Sequence, residues 1–152
     1  MSIENDRADI IELFGSYADI ADKKDFDELP RLVHTDPFVA DFQSVTDTAA
    51  LQTTLDDYIA ALRVSFGAFV ATHHTITGHV IRVIGDHATA HAHVRAEHWV
   101  STENTAGGPN CWLVVGFYDN EAVRTDDGWR FSRVTLTAVH QENTHLLEGS
   151  PG

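Results

Sequence analysis

Two periodicities divide the chain. Over residues 5–22, Ile10, Leu13, Phe14, Tyr17, Ala18 and Ala21 recur at intervals of three and four, while Asp9, Glu12, Ser16 and Asp19 take the other side. That spacing predicts an amphipathic helix. Asp25, followed three residues later by Glu28, reads as a capping box for a short second helix ending near Pro30 to Val33. Residues 37–42 suit a short strand. Thr46 or Asp47 is positioned to cap a third helix running roughly to Ser65, with Leu51, Leu55, Tyr58, Ile59 and Leu62 inward. From Ala68 onward the period changes to two, and four long strands fit: about 68–84, 87–101, 111–125 and 129–142. Gly85–Asp86 and Asp127–Gly128 mark tight turns, and the segment 103–110, with Gly107, Gly108 and Pro109, a longer loop. Helices first and an antiparallel meander after predict an α+β domain over residues 1–145, with 146–152 as a flexible C-terminal tail.

Three ionisable residues break this pattern. Counting back from Asp22 in fours gives Ala18 and Phe14, which puts Asp22 on the apolar stripe of the first helix. Either the helix frays there and Asp22 reaches water, or the carboxylate is buried and needs a partner. On the strand 87–101, Ala88, Ala90, Ala92, Val94, Ala96, His98 and Val100 share one face, so His98 is the single titratable group of that face. The small alanines leave room above it for a cavity, and His98 is either a hydrogen-bonded core histidine or a group lining that cavity. His73 and His74 point to opposite sides of their strand. His74 shares its side with Ile76, Gly78 and Val80, and His73 goes with Thr75, Thr77 and His79, which read as an outer polar face. A bulge near Gly78 would return Ile81 and Val83 to the core, and it could also exchange the two histidines. On the strand 111–125, Trp112, Val114, Tyr118, Asn120 and Arg124 lie on one side. Arg124 is either an exposed hairpin residue or a fixed positive charge for an anionic intermediate.

Composition narrows the classes of partner. The 152 residues suit one core, and the net charge of −13 argues against nucleic acid and anionic membranes. The polar opening MSIENDRAD does not read as a secretory signal, and no apolar run is long enough to span a bilayer, so a cytoplasmic location is expected. The single cysteine, Cys111, cannot form an internal disulfide. His91 and His93, two apart on one strand face with Glu97 beyond, have the spacing of a partial zinc site, but no third ligand at a usual spacing completes it, so no metal is expected.

The segments IIELFGSYADIADKKDFDEL, THHTITGHVIRVIGDHATA and YDNEAVRTDDGWRFSRV together resemble the SnoaL-like branch of the nuclear-transport-factor-2-like superfamily, over nearly the whole chain and in order. The resemblance implies a cone-shaped α+β barrel in which a curved antiparallel sheet wraps a long helix around a deep apolar pocket. Members include dehydratases, a dehydrochlorinase, polyketide cyclases and non-catalytic binding proteins. Asp22 matches the aspartate that orients a catalytic histidine in the dehydrochlorinase, and His74 matches that histidine better than His73. His98 falls on the strand that carries a second histidine in a dehydratase. Tyr17 stands where the dehydrochlorinase has a lysine, which counts against that reaction, and Arg124 matches an arginine that faces the pocket in several relatives. The resemblance thus implies a cofactor-independent acid–base enzyme of dehydratase, isomerase or cyclase type, acting on a small hydrophobic carbonyl or hydroxyl compound. Asp22, His74 and His98 would be catalytic, with His98 or Tyr17 as proton donor, and Tyr17, Trp112, Tyr118 and Arg124 would bind substrate. A ligand-binding module of the same fold is the alternative. The outer sheet face, with Trp99, Leu113, Val115 and Phe117, implies a covering partner, and relatives dimerise there, so a homodimer is expected.

Overall fold

A computed structural model describes residues 2–148. Helix α1 (Ile3–Asp22) opens on Ser2, whose hydroxyl accepts from the Asn5 amide and so satisfies one of the free N–H groups of the first turn. Its apolar stripe is buried along its length: Ile10, Leu13, Phe14, Tyr17, Ile20 and Ala21. A short helix α2 (Leu29–Val33) follows, with the Asp25 carboxylate 3.4 Å from the Glu28 amide before it. The chain then runs through β1 (His34–Asp41), a single turn α3 (Gln43–Thr46), a three-residue strand β2 (Leu51–Thr53) and helix α4 (Leu55–Gly67).

The third helix therefore starts about eight residues later than its periodicity suggested. Thr54, not Thr46 or Asp47, is its cap, accepting from the Asp57 amide. Leu51, expected on its inner face, is half exposed and pairs with Ala40 across the β1–β2 ladder. Leu51 to Leu55 is one helical step in spacing, but a strand pairing with β1 satisfies the Leu51–Thr53 backbone instead.

The long strands are β3 (Ala71–Ile84), β4 (His87–Trp99), β5 (Cys111–Thr125) and β6 (Gly128–Glu142). The sheet has six strands in the order β2-β1-β6-β5-β4-β3. It is mixed rather than wholly antiparallel, because β1 runs parallel to β6. These two strands lie far apart in sequence, and the chain between them supplies the crossover that a parallel pair requires. The sheet curves without closing, and α1 packs across it against β3 and β6. A last turn α5 (His145–Glu148) follows β6. Leu146 and Leu147 pack against the core although they were expected in the tail, and residues 149–152 of that tail lie outside the described residues. No helix among the described residues is long and apolar enough to cross a membrane.

The inner face of β4 follows the alternation closely: Ala88, Ala90, Ala92, Val94, Ala96 and His98 are all buried. At the Ala88–Ala92 end the space above these small residues is filled by large rings, with Phe14 packed against Phe131 and Tyr118 at 5.0 and 6.3 Å between centroids. At the Ala96–His98 end it stays open as a cavity of about 340 Å³, within the size range of small-ligand sites.

Gly78 has φ +65 and marks a register shift between Thr77 and Val80. The shift returns Ile81 to the core and leaves His74 as the inward histidine. It also turns His79 off the outer face, where simple alternation put it. The His79 ring is half-buried, 5.3 Å from Phe14.

Candidate active site

The last turn of α1 brings Asp22 against the start of β3. Its carboxylate takes three hydrogen bonds from that strand. The Thr72 hydroxyl and the His74 Nδ1 reach Oδ1 at 2.9 and 2.7 Å, and the His74 amide reaches Oδ2 at 2.7 Å. Thr72 and His74 are two residues apart, so one strand face presents both side chains to the same carboxylate. Burial alone would raise the Asp22 pKa, but the bonds from His74 and Thr72 outweigh it and hold the group below its usual value. A carboxylate only accepts, so His74 Nδ1 carries the hydrogen. In the neutral imidazole Nε2 is then the bare nitrogen, on a ring that lines the cavity.

His98 sits beside it, with ring centroids 5.5 Å apart. Trp112 stacks on His98 at 4.2 Å, Phe69 packs at 5.2 Å, and His98 Nδ1 lies 3.1 Å from the Trp112 carbonyl oxygen. Burial, reinforced by the nearby His74, pushes the His98 pKa down to about 4. The ring is therefore neutral near pH 7, with its hydrogen given to the carbonyl. His98 offers the cavity an acceptor, not a proton.

Tyrosines supply the hydroxyls. Tyr17 from α1, Tyr58 from α4 and Tyr118 from β5 all line the cavity, with Tyr17 and Tyr118 edge to face at 5.3 Å. Desolvation raises the pKa of all three, so they are neutral hydroxyls near pH 7. Phe42, Val45, Leu62, Phe66, Val114 and Leu136 are among the apolar side chains that complete the wall.

Of the residues singled out from the sequence, Asp22, His74, His98, Tyr17, Trp112 and Tyr118 come together around this cavity. Arg124 does not. It lies on the inner side of β5 as alternation required, but at the hairpin end, under the first turn of α1. There its guanidinium holds the Asp6 carboxylate through two bonds of 2.9 and 2.8 Å, binds Asp86 at 2.9 Å and lies 4.7 Å over the Trp129 ring. Trp129 Nε1 also donates to Asp6, and the Arg124 and Trp129 bonds hold the Asp6 carboxyl down at about 2. Sixteen helical residues separate Asp6 from Asp22, roughly 24 Å at 1.5 Å per residue. Arg124 is therefore a structural clamp at the far end of the cone from His74.

Asp6, Thr72 and His34 carry site or core chemistry that the periodicity left unremarked, and Tyr58, which it turned inward, also lines the cavity. Asp6 had a signal: it precedes Ile10 by four and so lies on the buried stripe, as Asp22 does at the other end. Thr72 shares the strand face of His74, and Tyr58 reads from the sequence as a core residue. His34 had none, since it stands at a helix-to-strand junction. It is buried, with Nδ1 3.1 Å from the Pro30 carbonyl oxygen and no partner for Nε2, and burial lowers its pKa to about 4. On the outer face, His91 Nδ1 lies 2.8 Å from Asp119 beside His93 and Phe117.

A long N-terminal helix laid in a curved, unclosed sheet, with an apolar cavity at one end, defines an α+β cone of the nuclear-transport-factor-2-like class. The SnoaL-like domain family matches residues 4–135, and the chain belongs to that family. It is similar to the Kfla4162 protein of Kribbella flavida, whose crystal structure superposes with a TM-score of 0.96 at 64% identity, covering 97% of this chain and 100% of that one. A proposed scytalone dehydratase from Novosphingobium aromaticivorans shares the fold at 19% identity and TM-score 0.73, covering 90% of this chain and 85% of that one. The hexachlorocyclohexane dehydrochlorinase LinA-type3 of Novosphingobium barchaimii does so at 18% identity and TM-score 0.70, covering 90% and 88%. No curated protein matches the chain.

Proposed function

We propose that the protein is a cofactor-independent acid–base enzyme of dehydratase, isomerase or cyclase type, acting on a small hydrophobic carbonyl or hydroxyl compound through Asp22 and His74. The observation that carries this reading is the 2.7 Å contact between His74 Nδ1 and Asp22 Oδ1 in the wall of an apolar cavity. Such a pair fixes one tautomer of the imidazole and stabilises the imidazolium once Nε2 accepts a proton. His74 Nε2 would remove a proton from carbon next to a carbonyl, and the electrons of that C–H bond would move onto the carbonyl oxygen as an enolate. The same proton, held on His74, would then pass to a leaving hydroxyl in elimination, or to another carbon in isomerisation. Either course restores the neutral imidazole beside the Asp22 carboxylate. His98, a neutral acceptor, would receive a hydrogen bond from a substrate hydroxyl, so the donor role falls to a tyrosine, Tyr17 being the member on α1 one and a half turns before Asp22. The stacked Trp112, Phe69 and His98 rings suit a flat ligand.

The test is a panel of cyclic β-hydroxyketones, followed by the ultraviolet absorbance of the conjugated enone. Turnover by the wild type should fall about 10²–10⁴-fold in His74→Ala, the usual worth of a positioned base, and substantially in Asp22→Asn. Full activity in both variants on a compound the wild type converts would sink the assignment. Tight binding of the panel without conversion would favour a binding module.

A further inference from the structure

Asp22 accepts more hydrogen bonds than the orientation of His74 requires. The His74 amide at 2.7 Å from Oδ2 and the His74 ring at 2.7 Å from Oδ1 already fix the carboxylate against one residue. Thr72 adds a third donor at 2.9 Å, and it does so on Oδ1, the oxygen that holds the ring. The hydroxyl has one hydrogen and a carboxylate only accepts, so the direction of that bond is fixed. Thr72 is buried on the inner side of β3, opposite His98 in the ladder with β4. A valine would fill much the same space there with no polar atom to satisfy. The charge that forms on His74 meets little else. Among the described residues, the cavity lining includes no Asp, Glu, Lys or Arg. From β4 the ring meets His98, which is neutral, and α1, α4 and β5 present the neutral hydroxyls of Tyr17, Tyr58 and Tyr118 to the same cavity. The two lysines that follow Asp22 are turned to other oxygens, Lys23 to Asp19 and Lys24 to the Phe69 carbonyl. His73, between Thr72 and His74, is exposed on the outer side.

We propose that Thr72 is a positioning residue of the Asp22–His74 pair. Its hydroxyl takes a share of the Oδ1 charge, limits how firmly Asp22 holds the imidazolium, and so lets His74 return the proton it has removed. This role rests on the proton-abstraction reading above and deepens it. A hydrogen bond to a carboxylate stabilises the anion and lowers its attraction for a further hydrogen. Two donors on one oxygen therefore compete: charge drawn toward the Thr72 hydrogen is lost to the Nδ1 hydrogen of His74. The balance matters because both halves of the reaction use the same proton. A stronger hold by Asp22 would help Nε2 take the proton from carbon. It would equally hinder transfer of that proton to the leaving hydroxyl or to the second carbon. Burial raises the Asp22 pKa, and the bonds from His74 and then Thr72 more than offset it, which keeps the shared hydrogen on the histidine side. Thr72 is not among the residues that line the cavity, so it acts through Asp22.

The experiment uses the full chain without ligand, labelled with ¹⁵N-histidine, and compares the wild type with Thr72→Val and Thr72→Ser by NMR. The His74 signals are identified by their absence from His74→Ala. In Thr72→Val the ring should keep its second proton to higher pH, by roughly half a unit to one unit, or about three- to tenfold in the ratio of protonated to neutral ring. Its Nδ1 hydrogen should move downfield as the bond to Oδ1 strengthens. Thr72→Ser keeps a hydroxyl and should return both readings to those of the wild type. A titration unchanged in Thr72→Val would overturn the proposal, and so would a serine variant that behaves like the valine one. A shift to lower pH with the Nδ1 hydrogen upfield would overturn it too, since that is the result of a hydroxyl that only aligns Asp22. If Thr72→Val does not fold, Thr72→Ala removes the same hydroxyl and decides by the same two readings. On a β-hydroxyketone that the wild type converts, the acidic limb of kcat/KM should move to higher pH by the same interval in Thr72→Val, and kcat should fall with KM unchanged. An unchanged titration in Thr72→Val, in a chain whose turnover still requires His74 and Asp22, overturns the role of Thr72 alone. Turnover that needs neither His74 nor Asp22 overturns the reaction itself, whatever the titration shows.

Discussion

Acid should destabilise this fold through two buried histidines, and the size of the effect follows from their surroundings. His34 and His98 are each buried to within a few per cent and each held near a pKa of about 4 by loss of solvent. Both rings give Nδ1–H to a backbone carbonyl, of Pro30 and of Trp112, which opposes the shift without cancelling it. Around His98, Asp22 also opposes the shift and His74 adds to it. In the unfolded chain a histidine has a pKa of about 6.5. At pH 5.5 it is therefore protonated about ten to one there, while the folded ring stays neutral. The unfolded state gains a factor of about ten per histidine, or ~1.4 kcal/mol. The folded pKa lies below the unfolded one, so this stability is present above about pH 6.5 and is lost as pH falls toward 4. A pH of 5.5 also stays above the isoelectric point of about 4.9, where solubility is lowest. Urea unfolding followed by tryptophan fluorescence at pH 7.5 and 5.5 should show the wild type losing roughly 3 kcal/mol from these two residues together. His34→Gln and His98→Gln should each lose about 1.4 kcal/mol less between the two pH values, whatever they cost at pH 7.5. The half-buried His79 contributes equally to wild type and variants and drops out of the difference. Variants whose stability falls with pH as steeply as the wild type would refute the reasoning.

Four further outcomes are expected. Asp22→Asn should free His74 from its single tautomer, so ¹⁵N shifts of the imidazole should move from an Nδ1–H pattern toward a mixture; an unchanged pattern would mean that Asp22 does not set the tautomer. Asp6→Asn should lower the melting temperature by removing the carboxylate that Arg124 and Trp129 share, yet leave turnover of the β-hydroxyketone panel at the far end of the cone unchanged. Gly116→Ala should be strongly destabilising, because a Cβ there would lie 2.0 Å from the Thr137 carbonyl oxygen and force β6 away from β5, a displacement that costs roughly 1–3 kcal/mol or more and is readable by denaturation. The outer sheet face, where His91 and His93 frame Phe117, is proposed to be covered by a second copy of the chain, and light scattering at micromolar concentration should give a dimer mass rather than one chain.

Phe14, Tyr17 and the alanines of β4 show what periodicity alone determined. A spacing of three and four, or of two, states which side of an element is apolar, and that is a local property of the backbone. It was enough to name the inner face, to mark Asp22 and His98 as charges or rings out of place, and, through the bulge at Gly78, to bring Ile81 back to the core. Leu51 shows where local spacing fails: one helical step from Leu55 fits either continued helix or an extended strand, and the pairing with β1 chose the strand. Arg124 shows the larger limit. The side of β5 it occupies was legible, but its distance along the sheet from Asp22 was not, because that depends on how α1 lies across the strands. The same placement set Asp6 against Arg124 at one end, and Asp22 against Thr72 and His74 at the other. His34 had no sequence signal, and the resemblance implied Tyr17 and Tyr118 for the pocket but not Tyr58, whose place beside them depends on elements distant in the chain. The sequence by itself determined the faces; the tertiary structure decided which residues meet, because side-chain orientation is set within a few residues while distance between elements is set by the packing of the whole core.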